Sequence, residues 1–89
     1  MNGLGGNLDK KLEKLYRKPI PNDMTFNEIS AIAEHFGCII DAGGNHLKIV
    51  YKGSFMRVIP IPRHGKTVQE AYVKQVKDLI DKIREEQSK

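Results

Sequence analysis

The chain has 89 residues, 39% of them hydrophobic, with 15 Lys+Arg against 11 Asp+Glu and a formal charge of +4. That length supports one domain with a single small core and excludes a deep catalytic cavity, so chemistry on a polymer lying across a surface suits it better than chemistry on an engulfed metabolite. The positive excess favours polyanionic partners, one cysteine excludes an internal disulfide framework, and no apolar run approaches the length of a membrane span.

Residues 1–7 are rich in Gly and Asn and are expected to be disordered. They lack the apolar core of a signal peptide, so a cytoplasmic location is expected. Leu8, Leu12, Leu15 and Tyr16 recur at i, i+4, i+7 and i+8, which predicts an extra amphipathic helix over 8–18. Its other face carries Lys10, Lys11, Lys14, Arg17 and Lys18. The plain reading is a helix packed on the domain; the sharper one is a docking helix for a partner or for RNA phosphates. Residues 19–24 form a linker in which Pro19 and Pro21 hold the chain extended.

The domain proper is expected over 25–86. Thr25 with Glu28 three residues on reads as a capping box. Phe26, Ile29, Ile32, Ala33 and Phe36 form the buried stripe of the helix behind it, and Gly37 is suited to a left-handed C-cap. A short strand over 38–41 follows, with Cys38 read as packing. Gly43 and Gly44 mark a turn, and Asn45 tolerates left-handed geometry. The second strand then alternates, with Leu47, Ile49 and Tyr51 on one face and His46, Lys48, Val50 and Lys52 on the other.

A turn at 52–54 leads to a third strand that begins at Phe55 and reaches Ile59 or Ile61. Pro60 and Pro62 cannot donate to a ladder, so the end of this strand lies at an edge or is irregular. Arg57 shares the parity of Ile59 and Ile61, which suggests a bulge. Thr67 and Glu70 repeat the capping-box spacing. The helix beyond places Val68, Tyr72, Val76, Leu79, Ile80 and Ile83 on one stripe, with Glu70–Lys74 and Asp78–Lys82 as exposed pairs. Short turns make the strands an antiparallel meander with both flanking helices on one face.

Imidazole is the side chain whose ordinary pKa lies nearest neutrality. His46 stands between a glycine turn and a strand, and is expected opposite Asp41 on one side and near Pro60 and Ile61 on the other. The connection from Arg63 to Thr67 then lies close by, with Arg63, Lys66 and a helix N-terminus to attract anions. A base beside a phosphate-attracting loop suits RNA cleavage, in which a 2′-hydroxyl attacks the adjacent phosphate. Lys48 and Arg57 are further candidates for phosphate. Asp41 is a candidate to orient the imidazole. His64 is a second acid or base, or a phosphate contact. Against this stand plainer readings: a His after a turn is more often a surface residue, His35 complements a helix dipole, and Arg63 and Lys66 are more often solvated charges. The spacing of His35, Cys38, His46 and His64 does not match a metal site, and no cofactor is expected.

The run from Met24 to Gly37, then Gly43-Gly44-Asn45-His46, then Ile59-Pro60-Ile61-Pro62-Arg63-His64-Gly65-Lys66 and Ala71 to Gln75, resembles the HicA toxin family. The resemblance covers roughly residues 24–84. The family's Gly-Ser-His motif is matched at Gly44 and His46, with Asn45 in place of the usual Ser. Its I-P-x-H end of the third strand is matched by Ile61-Pro62-Arg63-His64.

The resemblance implies an α+β fold like a double-stranded-RNA-binding domain, α-β-β-β-α. It implies a toxin of a type II toxin–antitoxin pair, a metal-independent endoribonuclease that cleaves mRNA, with His46 catalytic and Gly44 and Asn45 forming the supporting turn. A HicB-type antitoxin would bind the toxin and mask its active site, and an oligomer could form through that antitoxin. The rival from another class is a non-catalytic RNA-binding module that uses the same cations and does not need His46. A third is a small protein-interaction domain using an open sheet edge, whose binding would respond little to salt.

Overall fold

The computed structural model of the protein describes residues 3–63 and 65–88, with side chains described from residue 8 onward. Six elements run in the order α1 (Gly3–Leu15), α2 (Phe26–His35), β1 (Ile39–Asp41), β2 (His46–Lys52), β3 (Met56–Pro62) and α3 (Glu70–Gln87). The three strands form one antiparallel sheet in the order β1-β2-β3. This is an α+β architecture, with the expected α-β-β-β-α order preceded by one helix.

Helix α2 begins and ends as its sequence dictates. The Thr25 hydroxyl accepts from the Glu28 N–H at 3.1 Å, and the Thr25 N–H donates to Glu28 Oε1 at 2.9 Å, completing the capping box. At the other end Gly37 has φ +90°. The Cys38 N–H reaches back to the Ala33 carbonyl and the Gly37 N–H to that of Glu34, each at 3.0 Å. Those two bonds define a Schellman ending, which needs the left-handed residue that Gly supplies at least cost.

The second Thr-x-x-Glu sequence behaves differently. Helix α3 starts at Glu70 with Gln69 as N-cap and no side-chain capping bond, so the box expected at Thr67 does not form. The Val68 N–H is taken by the Met24 carbonyl at 2.8 Å, and Thr67 bridges Thr25 in an antiparallel pair. The backbone there is committed to an extended contact, so the helix cannot begin until that contact is past.

Leu47, Ile49, Ile59 and Ile61 point from the sheet into a core shared with Ile29, Ile32 and Ala33 of α2 and Val73, Val76, Leu79, Ile80 and Ile83 of α3. Both helices therefore cover one sheet face. Cys38 is buried in the same core, where burial pushes its thiol up to about 11, in keeping with a packing role.

Helix α1 joins this body. Leu15 is fully buried, with Leu8, Leu12 and Tyr16 packed against the core. The Tyr16 hydroxyl donates to Asp81 at 2.6 Å. Burial and that carboxylate raise the phenol to about 12, against a smaller opposing pull from Arg84. The helix starts earlier than the expected 8–18, because each residue added to a formed helix gains a hydrogen bond. It stops at Leu15, short of Pro19, whose ring disfavours helical geometry in the residue before it. Residues 3–7, expected to be disordered, lie in its first turns.

Pairing between β2 and β3 is regular from His46↔Pro62 to Lys52↔Met56, with no bulge. The Arg63 N–H donates to the Asn45 carbonyl at 3.0 Å, so odd-numbered residues of β3 make the ladder bonds to β2 and even-numbered ones turn their amide positions outward. Pro60 and Pro62 fall on the outward set, where no donor is needed.

Candidate functional site

His46 opens β2 and is exposed on the sheet face opposite the helices. The turn before it depends on Gly44, whose φ is +72°. Gly43 has no such requirement, and a Cβ there would meet only Asp41 Oδ1 at 3.6 Å. Asn45 does not use its tolerance for left-handed backbone: among the described residues only Gly has positive φ. Its carbonyl instead accepts the Arg63 N–H and extends the ladder one step past His46.

Asp41 pairs with Lys48, two residues from the expected partner. Its carboxylate turns back to accept the Gly43 N–H at 3.2 Å. The residue proposed to orient the imidazole therefore stabilises the turn instead. The hairpin loop is longer than the sequence suggested, and a two-residue offset preserves side-chain facing while shifting every partner.

Across β2, His46 faces Pro62 rather than Pro60 or Ile61. That pair lacks ladder bonds, so its Cα atoms approach to about 4.5 Å, and Arg63 follows one residue later. The Arg63 guanidinium donates from Nη1 to the Ala42 carbonyl at 3.2 Å, reaching over the same turn. An exposed imidazole and a guanidinium thus share one end of the sheet. Lys48 lies on the same face as His46, about 7 Å along the strand. Lys66 is exposed in the connection to α3. His64 lies outside the described residues.

Arg57 does not belong to this group. It pairs with Tyr51 and so shares the parity of Leu47, Ile49 and Ile61 on the helix-covered face. It is nevertheless exposed. Regular pairing without a bulge keeps it on that face.

The site is open. Clefts of about 320 and 410 Å³ lie elsewhere, one between residues 19–23 and the start of α3, the other between α1 and Arg84. Among the described residues, no three His, Cys, Asp or Glu side chains are grouped to hold a metal ion, and no helix is long and apolar enough to cross a membrane. The feature that sequence reasoning missed is the strap from Arg63 to Ala42. Its signal is a guanidinium directly after a strand-ending proline, opposite the glycine turn.

Compared with known protein families, curated proteins and solved structures, the chain matches none.

Proposed function

We propose that this protein is an endoribonuclease toxin of the HicA type, with a fold like a double-stranded-RNA-binding domain, kept inactive by a HicB-type antitoxin. The observation that supports the proposal is the setting of His46: exposed, fixed between a glycine turn and a ladder, and paired with Pro62, one residue before Arg63, whose guanidinium reaches the Ala42 carbonyl at the same end of the sheet. A neutral imidazole there takes the proton of an RNA 2′-hydroxyl. The 2′-oxygen attacks the adjacent phosphorus, the bond to the 5′-oxygen breaks, and that oxygen takes up a proton from His64 or water. A 2′,3′-cyclic phosphate and a 5′-hydroxyl result. Arg63, Lys48 and Lys66 offset the charge that grows on the phosphate oxygens. The chemistry uses no metal.

The test is expression of the chain alone, with purified protein then incubated with RNA in a chelator. Growth arrest and cyclic-phosphate ends are expected, and His46→Ala should abolish both while RNA affinity stays. Equal behaviour of wild type and variant would favour the non-catalytic RNA-binding module.

A further inference from the structure

We propose that the uncovered face of the sheet is a track for single-stranded RNA, running along β2 from His46 to Lys52. This rests on the reading of His46 as the cleaving residue, and it concerns how the substrate reaches that residue.

Three large aliphatic side chains are exposed among the described residues: Ile39 (57%), Met56 (65%) and Val58 (43%). All three lie on this one face. Ile39 and Val58 flank Val50 in a single row across the sheet, and Met56 pairs with Lys52. The central strand sets His46, Lys48, Val50 and Lys52 along the same face, so cations bracket the apolar row at both ends. The one carboxylate that the strands place here, Asp41, is engaged with the Gly43 N–H.

This pattern selects its occupant. A second copy would bring Lys48 and Lys52 against their own equivalents, and like charges repel. An RNA duplex turns its bases inward and has nothing to lay on an apolar row. A single strand offers both parts, phosphates to the lysines and base or ribose surfaces to the aliphatic side chains. From His46 to Lys52 is about 20 Å of strand, enough for roughly four nucleotides, the lower end for single-strand binding folds. Apart from the His46 imidazole, the strands place no aromatic ring on this face, and aliphatic contacts to base or ribose surfaces do not distinguish one base from another, so the expected binding is sequence-tolerant.

The experiment measures binding of a 2′-O-methyl oligouridylate, which cannot be cleaved, to the His46→Ala protein over a range of salt. Adding Lys52→Ala should weaken binding severalfold and reduce the log–log salt slope by about 0.7, one phosphate contact on a single strand. Val58→Asp should also weaken binding, Lys74→Ala on the outer side of α3 should not, and a duplex should bind less tightly than the single strand. Unchanged affinity and slope in both Lys52→Ala and Val58→Asp, with circular dichroism showing folded protein, would overturn the track. If Val58→Asp alone leaves RNA affinity intact, the apolar row serves a protein partner and the proposal likewise fails. Cleavage is not the readout, so a chain without nuclease activity still tests the track. A nuclease that depends on His46 but not on Lys52 removes the track alone.

Discussion

Lys14 of α1 meets Glu28 of α2 at 3.0 Å, on the same carboxylate oxygen, Oε1, that accepts the Thr25 N–H. Lys14 also donates to the Asp23 carbonyl at 3.0 Å. The extra helix is thereby tied to the cap of the next one. Lys14, counted on sequence with the solvent face, is the residue that makes the tie. Its removal leaves a partly buried carboxylate with one charged partner fewer. Lys14→Met should cost about 1 kcal/mol, and thermal unfolding should register a midpoint about 4–8 °C lower. Lys10→Met, whose side chain is exposed, should change the midpoint by no more than about 2–4 °C.

The same carboxylate governs acid stability. Burial alone would raise the Glu28 pKa, but the Thr25 amide and the Lys14 ammonium outweigh it and hold the group below its ordinary 4.5. As pH falls through that window, the unfolded chain binds the proton before the folded one does. Stability from this group is therefore present above about 4.5 and lost as pH drops toward the lowered value. Urea unfolding at pH 6 and pH 3 should show a smaller acid loss in Glu28→Gln than in wild type. Equal losses would mean that the capping interaction is not formed in solution.

Only one of the two adjacent glycines carries a conformational demand. Gly44→Ala forces a side chain into left-handed backbone and should cost about 1–2 kcal/mol. Gly43→Ala meets an ordinary contact and should stay within about 0.5 kcal/mol. Because Gly44 sets the direction in which the chain enters His46, the proposed RNA cleavage should fall further in Gly44→Ala than in Gly43→Ala when both are assayed well below their unfolding temperatures.

Burial that pushes the Cys38 thiol to about 11 withholds the thiolate that alkylating agents require. Native protein at pH 8 should label with iodoacetamide far more slowly than the same protein in guanidinium, where the thiol returns to about 8.5. Labelling at the same rate in both conditions would show that the core around Cys38 opens freely.

What the sequence disclosed was local. The stripe of α2, its capping box and its glycine ending each depend on residues within one or two turns, and all three formed as expected. What it concealed was decided by distant chain. Thr67–Glu70 has the same spacing as Thr25–Glu28, yet the Met24 carbonyl claims the Val68 N–H and the second box is lost. The Asp78–Lys82 pairing gave way to a Lys82 ammonium 4.5 Å from the Phe55 ring centre, a contact supplied by the β2–β3 turn. Strand register was off by two at Asp41 because loop length sets it, and the glycines alone do not reveal that length. The facing of His46 and Lys48 survived, since parity is unchanged by an even shift, whereas Arg57 needed a bulge that the chain does not make.

The paired prolines at the rim of β3 have a consequence beyond their own strand. A neighbouring polypeptide that tried to dock edge-on would find two successive outward positions with no hydrogen to share, and so no template for fibril-like growth in that direction. The opposite rim, β1, is three residues long and offers little purchase. Met56 and Val58 are the positions of β3 that keep an outward amide, so the borders of the sheet offer little for pairing beside its broad surface.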